Sequence, residues 1–183
     1  MQKETKKYLG DGCQTQITPL IKKIASSFKT SRLELILEIL NWVQSNIREN
    51  SFDEEKNLLF RKRSSDEIIK SKMATGCTDY ALAFIALSRA KKIPTKYVEA
   101  IRRKWLDIGS ERHIEGHVFA ECLIGNKWRI VDPQEGAIRI NYQRFVIFAK
   151  GLDSWDIGIE NIDDLRKKFL DFKKKYKPHL NIR

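Results

Sequence analysis

Cysteine is scarce in this chain, and its spacing fits neither a disulfide framework nor a zinc site. The 183 residues contain three cysteines, Cys13, Cys77 and Cys122, and no Cys-x-x-Cys pair. An odd, unpaired count argues against a disulfide-stabilised scaffold, and the missing pair argues against a thiolate zinc site. We therefore expect a protein of a reducing compartment, in the cytoplasm.

Long apolar runs, internal repeats and low-complexity segments are also absent. No run approaches membrane-spanning length, and the first ten residues are too polar for a signal peptide, so we expect no membrane association. Apolar residues make up 42% of the chain, enough for one core. We predict a single domain over residues 1–183, with its core at about 31–150 and a basic C-terminal helix at about 163–175.

No nucleic-acid-binding motif accompanies the formal net charge of +11. The positive charge is concentrated in three places, which are residues 61–63, 102–104 and 162–183. We find no aromatic side chains interleaved with these runs in the way that a stacking platform requires. We interpret the basic clusters as solvated surface, so that a nucleic-acid partner is possible but not favoured.

Apolar residues at helical spacing predict helices over about residues 18–29, 31–48, 66–72, 77–92 and 163–175. Thr18-Pro19 is a typical helix start, Ser31 with Glu34 and Ser64 with Glu67 form capping-box patterns, and Asp163 or Asp164 caps the last helix. The helix that begins at Cys77 is the least polar, so we expect it to be central. Residues 1–16, 50–63 and 103–115 lack a clear period and are predicted to be irregular.

Strand-forming residues alternate over 96–101, 117–124 and 127–132, and one more strand is predicted within 139–148. Gly125-Asn126 is typical of a two-residue hairpin turn. Because the helices precede the strands, the sequence predicts an α+β domain with helices packed on an antiparallel sheet.

Cys77 stands at the predicted start of the central helix, directly after Gly76. The positive end of a helix and a nearby imidazolium both favour a thiolate. Gly76 leaves space in front of the sulfur, and the backbone N–H of Cys77 is a candidate donor to an oxyanion. Cys77 is therefore a candidate nucleophile.

The hairpin register places His117 and Asp132 together. If Ile124 pairs with Lys127 across the turn, Phe119 lies opposite Asp132, and His117 follows two residues away on the same face. Diagonal neighbours of this kind have Cα atoms roughly 7–8 Å apart, within reach of two polar side chains. Asp132 can then orient the imidazole while its other nitrogen faces Cys77.

These segments together resemble the transglutaminase-like superfamily of papain-type thiol enzymes. The matching features are Cys77 with Asp79-Tyr80-Ala81, then Ile93-Pro94 with Tyr97-Val98, then His117 with Glu121, and Trp128 before Asp132-Pro133. The resemblance extends over about residues 33–135 and implies Cys77 as the nucleophile, His117 as the base and Asp132 as the orienting carboxylate. The chain departs from the family pattern at two positions. Phe119 stands where many members carry tryptophan, and Gly76 directly precedes Cys77, where members more often place the glycine one residue earlier.

This resemblance predicts an enzyme that acts on amide bonds of a protein or peptide substrate through a thioester intermediate. Water as acceptor would make it a protease or amidase and an amine would make it a transglutaminase; the small size of the chain favours hydrolysis. The alternative is an inactive binding module that uses a basic surface for acidic partners or nucleic acid. The mechanism needs no cofactor or metal, and His113, Glu115 and His117 lack the spacing of a helical zinc site.

Other chemically capable residues have ordinary structural interpretations. We expect Cys13 and Cys122 to be small buried side chains, His113 and His179 to be loop or surface residues, and Glu121 to be a salt-bridge or sheet-face residue. Trp42 is expected to pack in the core.

Overall fold

The computed structural model describes residues 2–51 and 53–176, and within these ranges the chain forms eight helices and seven strands. The helices are α1 (Gln2–Lys7), α2 (Pro19–Ser27), α3 (Arg32–Asn46), α4 (Asp53–Leu59), α5 (Ser65–Ser71), α6 (Cys77–Ala90), α7 (Arg103–Ile108) and α8 (Ile162–Lys175). The strands are β1 (Arg48–Glu49), β2 (Met73–Ala74), β3 (Thr95–Arg102), β4 (Gly116–Ile124), β5 (Lys127–Asp132), β6 (Ala137–Arg139) and β7 (Phe145–Gly151).

The main sheet is antiparallel, with strand order β6-β5-β4-β3-β7, and α6 packs against β3 and β4. Helices α2, α3 and α5 pack against α6, which is buried from Thr78 to Arg89. Small residues such as Ala81, Ala83 and Ala86 let these layers approach closely. The predicted α+β architecture with a central cysteine-bearing helix is confirmed.

Two of the predicted helix starts, at Thr18 and Ser64, are confirmed by their capping hydrogen bonds. Thr18 caps α2 by accepting from the Ile21 amide, and Ser64 and Glu67 form the reciprocal capping box of α5. The box predicted at Ser31 does not form, because the Ser31 side chain makes no capping hydrogen bond. Glu38 instead accepts hydrogen bonds from the Lys29 and Thr30 amides and so fixes the turn before α3.

Three segments that were predicted to be irregular contain short helices. These are α1 within residues 1–16, α4 within 50–63 and α7 within 103–115. Each spans only six or seven residues, too few to show two helical turns of apolar spacing. Trp105 in α7 is 1% exposed and anchors that segment to a second apolar cluster.

The C-terminal half also differs in two details. The single strand predicted within 139–148 is two strands, β6 and β7, which lie at opposite edges of the sheet. Helix α8 is capped by Asn161, whose side-chain oxygen accepts from the amides of Asp163 and Asp164. In the described part of the chain no helix combines the length and apolar character needed to cross a membrane.

The β4–β5 hairpin has the predicted register, with Ile124 paired to Lys127 and Glu121 paired to Ile130. Val118, Ala120 and Cys122 of β4 face α6, whereas Phe119 belongs to an apolar cluster on the opposite face. His117 lies on the Phe119 face at the start of β4, next to the end of the sheet.

Candidate active site

Cys77 is the first residue of α6 and is partly exposed. Gly76 before it has φ 149°, a conformation that side chains rarely allow, and a Cβ built there meets no atom within 4 Å. Glycine is therefore needed for the backbone turn, and the space in front of Cys77 is open. A substrate carbonyl can approach the sulfur from this side.

Asp79 fixes the turn that presents Cys77. Its fully buried carboxylate accepts from the Thr75 amide at 2.8 Å, from the Thr75 hydroxyl at 2.9 Å and from Arg63 Nη2 at 2.5 Å. The sequence pattern around Cys77 includes Asp79 but indicates no role for it. Through these contacts Asp79 and Arg63 position the turn before Cys77.

His117 and Asp132 meet as the hairpin register predicted. The distance from His117 Nε2 to Asp132 Oδ1 is 3.0 Å, and the two side chains are 14% and 4% exposed. Asp132 Oδ1 also accepts from the Glu135 amide at 3.3 Å, and Arg139 Nη2 lies 3.4 Å from Oδ2. These contacts hold the carboxylate in place and leave His117 Nδ1 for another partner.

The Cys77 side chain lies close enough to His117 to act on the charge of the ring. Burial lowers the pKa of His117, but the hydrogen bonds and charges of Asp132 and Cys77 outweigh it and raise the pKa from 6.5 to about 10. Burial would likewise raise the pKa of Asp132, but the hydrogen bond from His117 and its charge hold it below 3.8. The structure thus brings all three predicted site residues together, with His117 between the other two.

Aromatic rings enclose the imidazole. Phe119 meets it edge-on at 4.7 Å between ring centroids, and Phe145 lies at 5.5 Å. Phe119, noted above as a departure from the family pattern, is therefore a wall of the site. Phe145 comes from β7, two strands away from β4 in the sheet, and nothing in its local sequence indicated this contact.

Part of the basic cluster at residues 61–63 is buried, so its interpretation as solvated surface is wrong for two of its members. Arg61 is 2% exposed and forms a two-pronged ion pair with Glu99, at 2.8 and 2.9 Å. Arg63 is 8% exposed and holds Asp79, while Lys62 between them is exposed. Only tertiary contacts distinguish these arginines from the lysine.

Two cavities flank the Cys77–His117 pair. The Cys77 cavity has a volume of about 300 Å³ and is lined by Phe60, Arg61, Cys77, Thr78, Glu99, Arg112, His113, Ile114, Gly116, Ile162, Leu165 and Arg166. The His117 cavity has a volume of about 290 Å³ and is lined by Arg102, His117, Phe119, Asp132, Gln134, Glu135, Arg139, Asn141, Tyr142, Gln143, Arg144 and Phe145. Cys77 thus borders one of these spaces and His117 the other.

The remaining cysteines differ from each other. Cys122 is buried as predicted, and burial raises its pKa to about 12. Cys13 is exposed, so the expectation that it is a buried side chain is wrong.

The other histidine and acidic candidates mostly follow expectation. His113 lies in an exposed loop, and His179 lies outside the described residues. Glu121 forms the predicted salt bridge, with Lys150 at 2.7 Å, and Trp42 packs edge-on against Phe28. Among the residues that the structure describes, no three His, Cys, Asp or Glu side chains are grouped as metal ligands.

Comparison with known proteins agrees with this fold. The sequence model of the "Transglutaminase-like superfamily" matches residues 20–133, more than half of the chain, so the chain belongs to that superfamily. No curated protein matches it.

The fold is similar to the crystal structure of a "Putative Cysteine Protease from Cytophaga hutchinsonii", with a TM-score of 0.67 and 23% sequence identity. The similarity covers 85% of this chain but only 50% of the other, so this chain spans half the length of that protein. At this identity the similarity establishes the fold alone.

Proposed function

We propose that this protein is a cysteine-nucleophile acyl-transfer enzyme that acts on amide bonds, with Cys77 as the nucleophile. The observation that carries the proposal is the position of His117, which is hydrogen-bonded to Asp132 at 3.0 Å and lies close enough to Cys77 for the two side chains to interact. This is the nucleophile, base and orienting-group arrangement of thiol acyl transfer. Superfamily membership supports the same chemistry.

In the proposed reaction the Cys77 thiolate attacks the carbonyl carbon and a tetrahedral oxyanion forms. The amides of Asp79 and Tyr80 are directed to the Gly76 carbonyl, which leaves the amides of Cys77 and Thr78 as the candidate donors to that oxyanion. His117 then protonates the leaving amine as the C–N bond breaks. Water or a second amine, with His117 as base, resolves the thioester.

The acceptor decides between hydrolysis and transfer, and both fit this geometry. We propose a protein or peptide as substrate because one cavity is lined by Cys77 and the other by His117, and the space at Gly76 is open. A cytoplasmic location is part of the same proposal.

The test is the rate of alkylation of each cysteine by iodoacetamide as a function of pH, resolved by mass spectrometry of the tryptic peptides. We expect Cys77 to react faster than the exposed Cys13 below about pH 8, and to lose that advantage in His117→Ala. Cys122 should stay unmodified because it is buried and its pKa is raised to about 12. Equal reactivity of Cys77 in the parent and in His117→Ala would contradict the proposal and favour a binding module.

A further inference from the structure

The proposed reaction assigns one half of the substrate to each cavity. The leaving amine takes its proton from His117, so that half of the substrate must lie on the imidazole side, in the His117 cavity. The acyl carbon becomes bonded to Cys77 Sγ, so the rest of the acyl group extends into the Cys77 cavity. The lining of the Cys77 cavity therefore determines which acyl groups are accepted.

The charges in the Cys77 cavity are unbalanced. Among the described residues that line it, Glu99 is the one carboxylate, and it is already paired with Arg61. Arg112 is exposed and has no ion-pair partner in the described part of the chain. Arg166 has only a 3.8 Å contact with Asp163, which is 87% exposed, so this pair is weak and leaves the guanidinium accessible. Two cations thus face a space that has no carboxylate to offset them.

The same cavity has an apolar wall made by Phe60, Ile114 and Leu165. Ile162, which is 45% exposed, extends this wall. A ligand that fits both features has a short apolar stem and ends in a carboxylate. An acidic side chain near the scissile amide has this shape.

Helix α8 supplies Leu165 and Arg166, although it lies beyond the residues that match the superfamily. Phe169 holds it in place by packing against Trp105, with 6.2 Å between the ring centroids. Lys173 also holds it, because its ammonium donates to the carbonyl oxygens of Trp105 and Gly109 at 2.8 and 2.6 Å. The helix is therefore a fixed wall of the cavity. It gives this chain a recognition element outside the family core.

We propose, resting on the function proposed above, that the Cys77 cavity binds the acyl half of the substrate and that Arg112 and Arg166 select an anionic group in it. The selected substrates are peptides with an acidic residue on the acyl side of the reacting amide. Arg112 and Arg166 are specificity residues and take no part in bond making.

The experiment compares two alkylating reagents of equal size, N-iodoacetyl-β-alanine and its neutral carboxamide. With either reagent the Cys77 thiolate forms an S–C bond while the C–I bond breaks and iodide leaves with its electron pair. The reagents differ only in the carboxylate at the far end. The rate ratio at Cys77 is divided by the ratio at the exposed Cys13 of the same molecule, which cancels intrinsic reagent reactivity.

We expect the normalised ratio to favour the anionic reagent, and to fall about two- to fivefold in each of Arg112→Ala and Arg166→Ala, the range of a partly exposed ion pair. Lys167→Ala is the matched control, since it removes the same charge from the neighbouring position of α8 but does not line the cavity. At an ionic strength of about 1 M, where screening acts within roughly 3 Å, the preference should shrink.

The outcomes separate the two proposals. If Cys77 reacts rapidly with both reagents but the ratio is the same in the parent and both arginine variants, the selection by Arg112 and Arg166 is wrong and the nucleophile proposal stands. If Lys167→Ala lowers the ratio as much as Arg166→Ala, the anionic reagent is attracted by the overall positive charge of α8, and the proposed selection by the cavity is wrong. If neither reagent modifies Cys77 faster than Cys13, both proposals fail.

Discussion

At the scale of single residues, the pKa of His117 decides the pH range in which an imidazolium faces Cys77. Burial opposes the charged ring, but Asp132 and Cys77 outweigh it and raise the pKa to about 10. His117 therefore carries its proton throughout the neutral range, as the proposed protonation of a leaving amine requires. The lowered pKa of Asp132 keeps its carboxylate ionised over the same range.

The His117–Asp132 pair should also contribute to stability in a defined pH window. His117 has a raised folded pKa, so its contribution is complete below 6.5 and is lost as the pH rises through about 10. Asp132 has a lowered folded pKa, so its contribution is complete above 3.8 and is lost as the pH falls below that value. We predict that Asp132→Asn lowers the free energy of unfolding most between pH 3.8 and 6.5, where both contributions are complete. The effect should be smaller once the pH has risen above about 10.

Urea denaturation at several pH values measures this difference, and an NMR titration of the His117 ring should show its pKa lowered in Asp132→Asn. Glu135→Gln is the control, because it removes an exposed carboxylate three residues away. A stability difference that does not change with pH would show that Asp132 acts only through its backbone contact.

At the scale of elements, the approach of α8 to β4 depends on one glycine. A Cβ at Gly116 would lie 2.7 Å from Phe169 Cε2 and 3.1 Å from the Ala100 carbonyl oxygen. The first contact is with a buried ring and the second with backbone, so neither gives way easily. The residue before His117 therefore has to be glycine for α8 to cover this end of the sheet.

We predict that Gly116→Ala destabilises the fold by about 1–3 kcal/mol, as overpacking of a core contact does. Phe169→Leu in the same chain should recover part of this loss, because it removes the ring that clashes. Thermal or urea unfolding of the two single variants and the double variant measures the coupling. Strictly additive effects would mean that Gly116 and Phe169 do not limit each other.

At the scale of the whole molecule, Arg61 joins segments that are far apart in the chain. Its side chain donates to Glu99, to the Tyr97 hydroxyl at 2.9 Å and to the Ser154 hydroxyl at 2.8 Å. Its carbonyl accepts from Gln14 and Trp155, at 3.0 and 2.8 Å. Burial lowers the pKa of Arg61, but the charge of Glu99 outweighs this and raises it, so the buried guanidinium stays charged.

We predict that Glu99→Gln lowers the free energy of unfolding by about 3–5 kcal/mol, because it leaves a buried guanidinium without its counter-ion. Lys174→Met is the control, since it breaks an ion pair whose partners are 72% and 53% exposed and should cost no more than about 1 kcal/mol. Urea denaturation gives both values. A loss of under 1 kcal/mol for Glu99→Gln would mean that the pair is not needed for the fold.

Local patterns account for the parts of the fold and the candidate site that were predicted correctly. The apolar run after Cys77 indicated the central helix, and the turn at Gly125-Asn126 set a register that brought His117 to Asp132. The short helices α1, α4 and α7 were missed because six or seven residues show too little apolar spacing, whereas α5, of similar length, was predicted and has a capping box at its start. The split of residues 139–148 into two edge strands was missed because the local sequence does not reveal which strand each half pairs with.

The class of fold, the position of Cys77 at a helix start and the pairing of His117 with Asp132 follow from the amino-acid order, because each depends on periodicity or on counting residues across one turn. Only the folded chain shows that Arg61 and Arg63 are buried while Lys62 is not, that Phe145 lies beside His117, and that α8 forms a wall of the Cys77 cavity. These contacts join residues tens of positions apart, and the identity of a charged or aromatic side chain does not tell which distant segment will cover it.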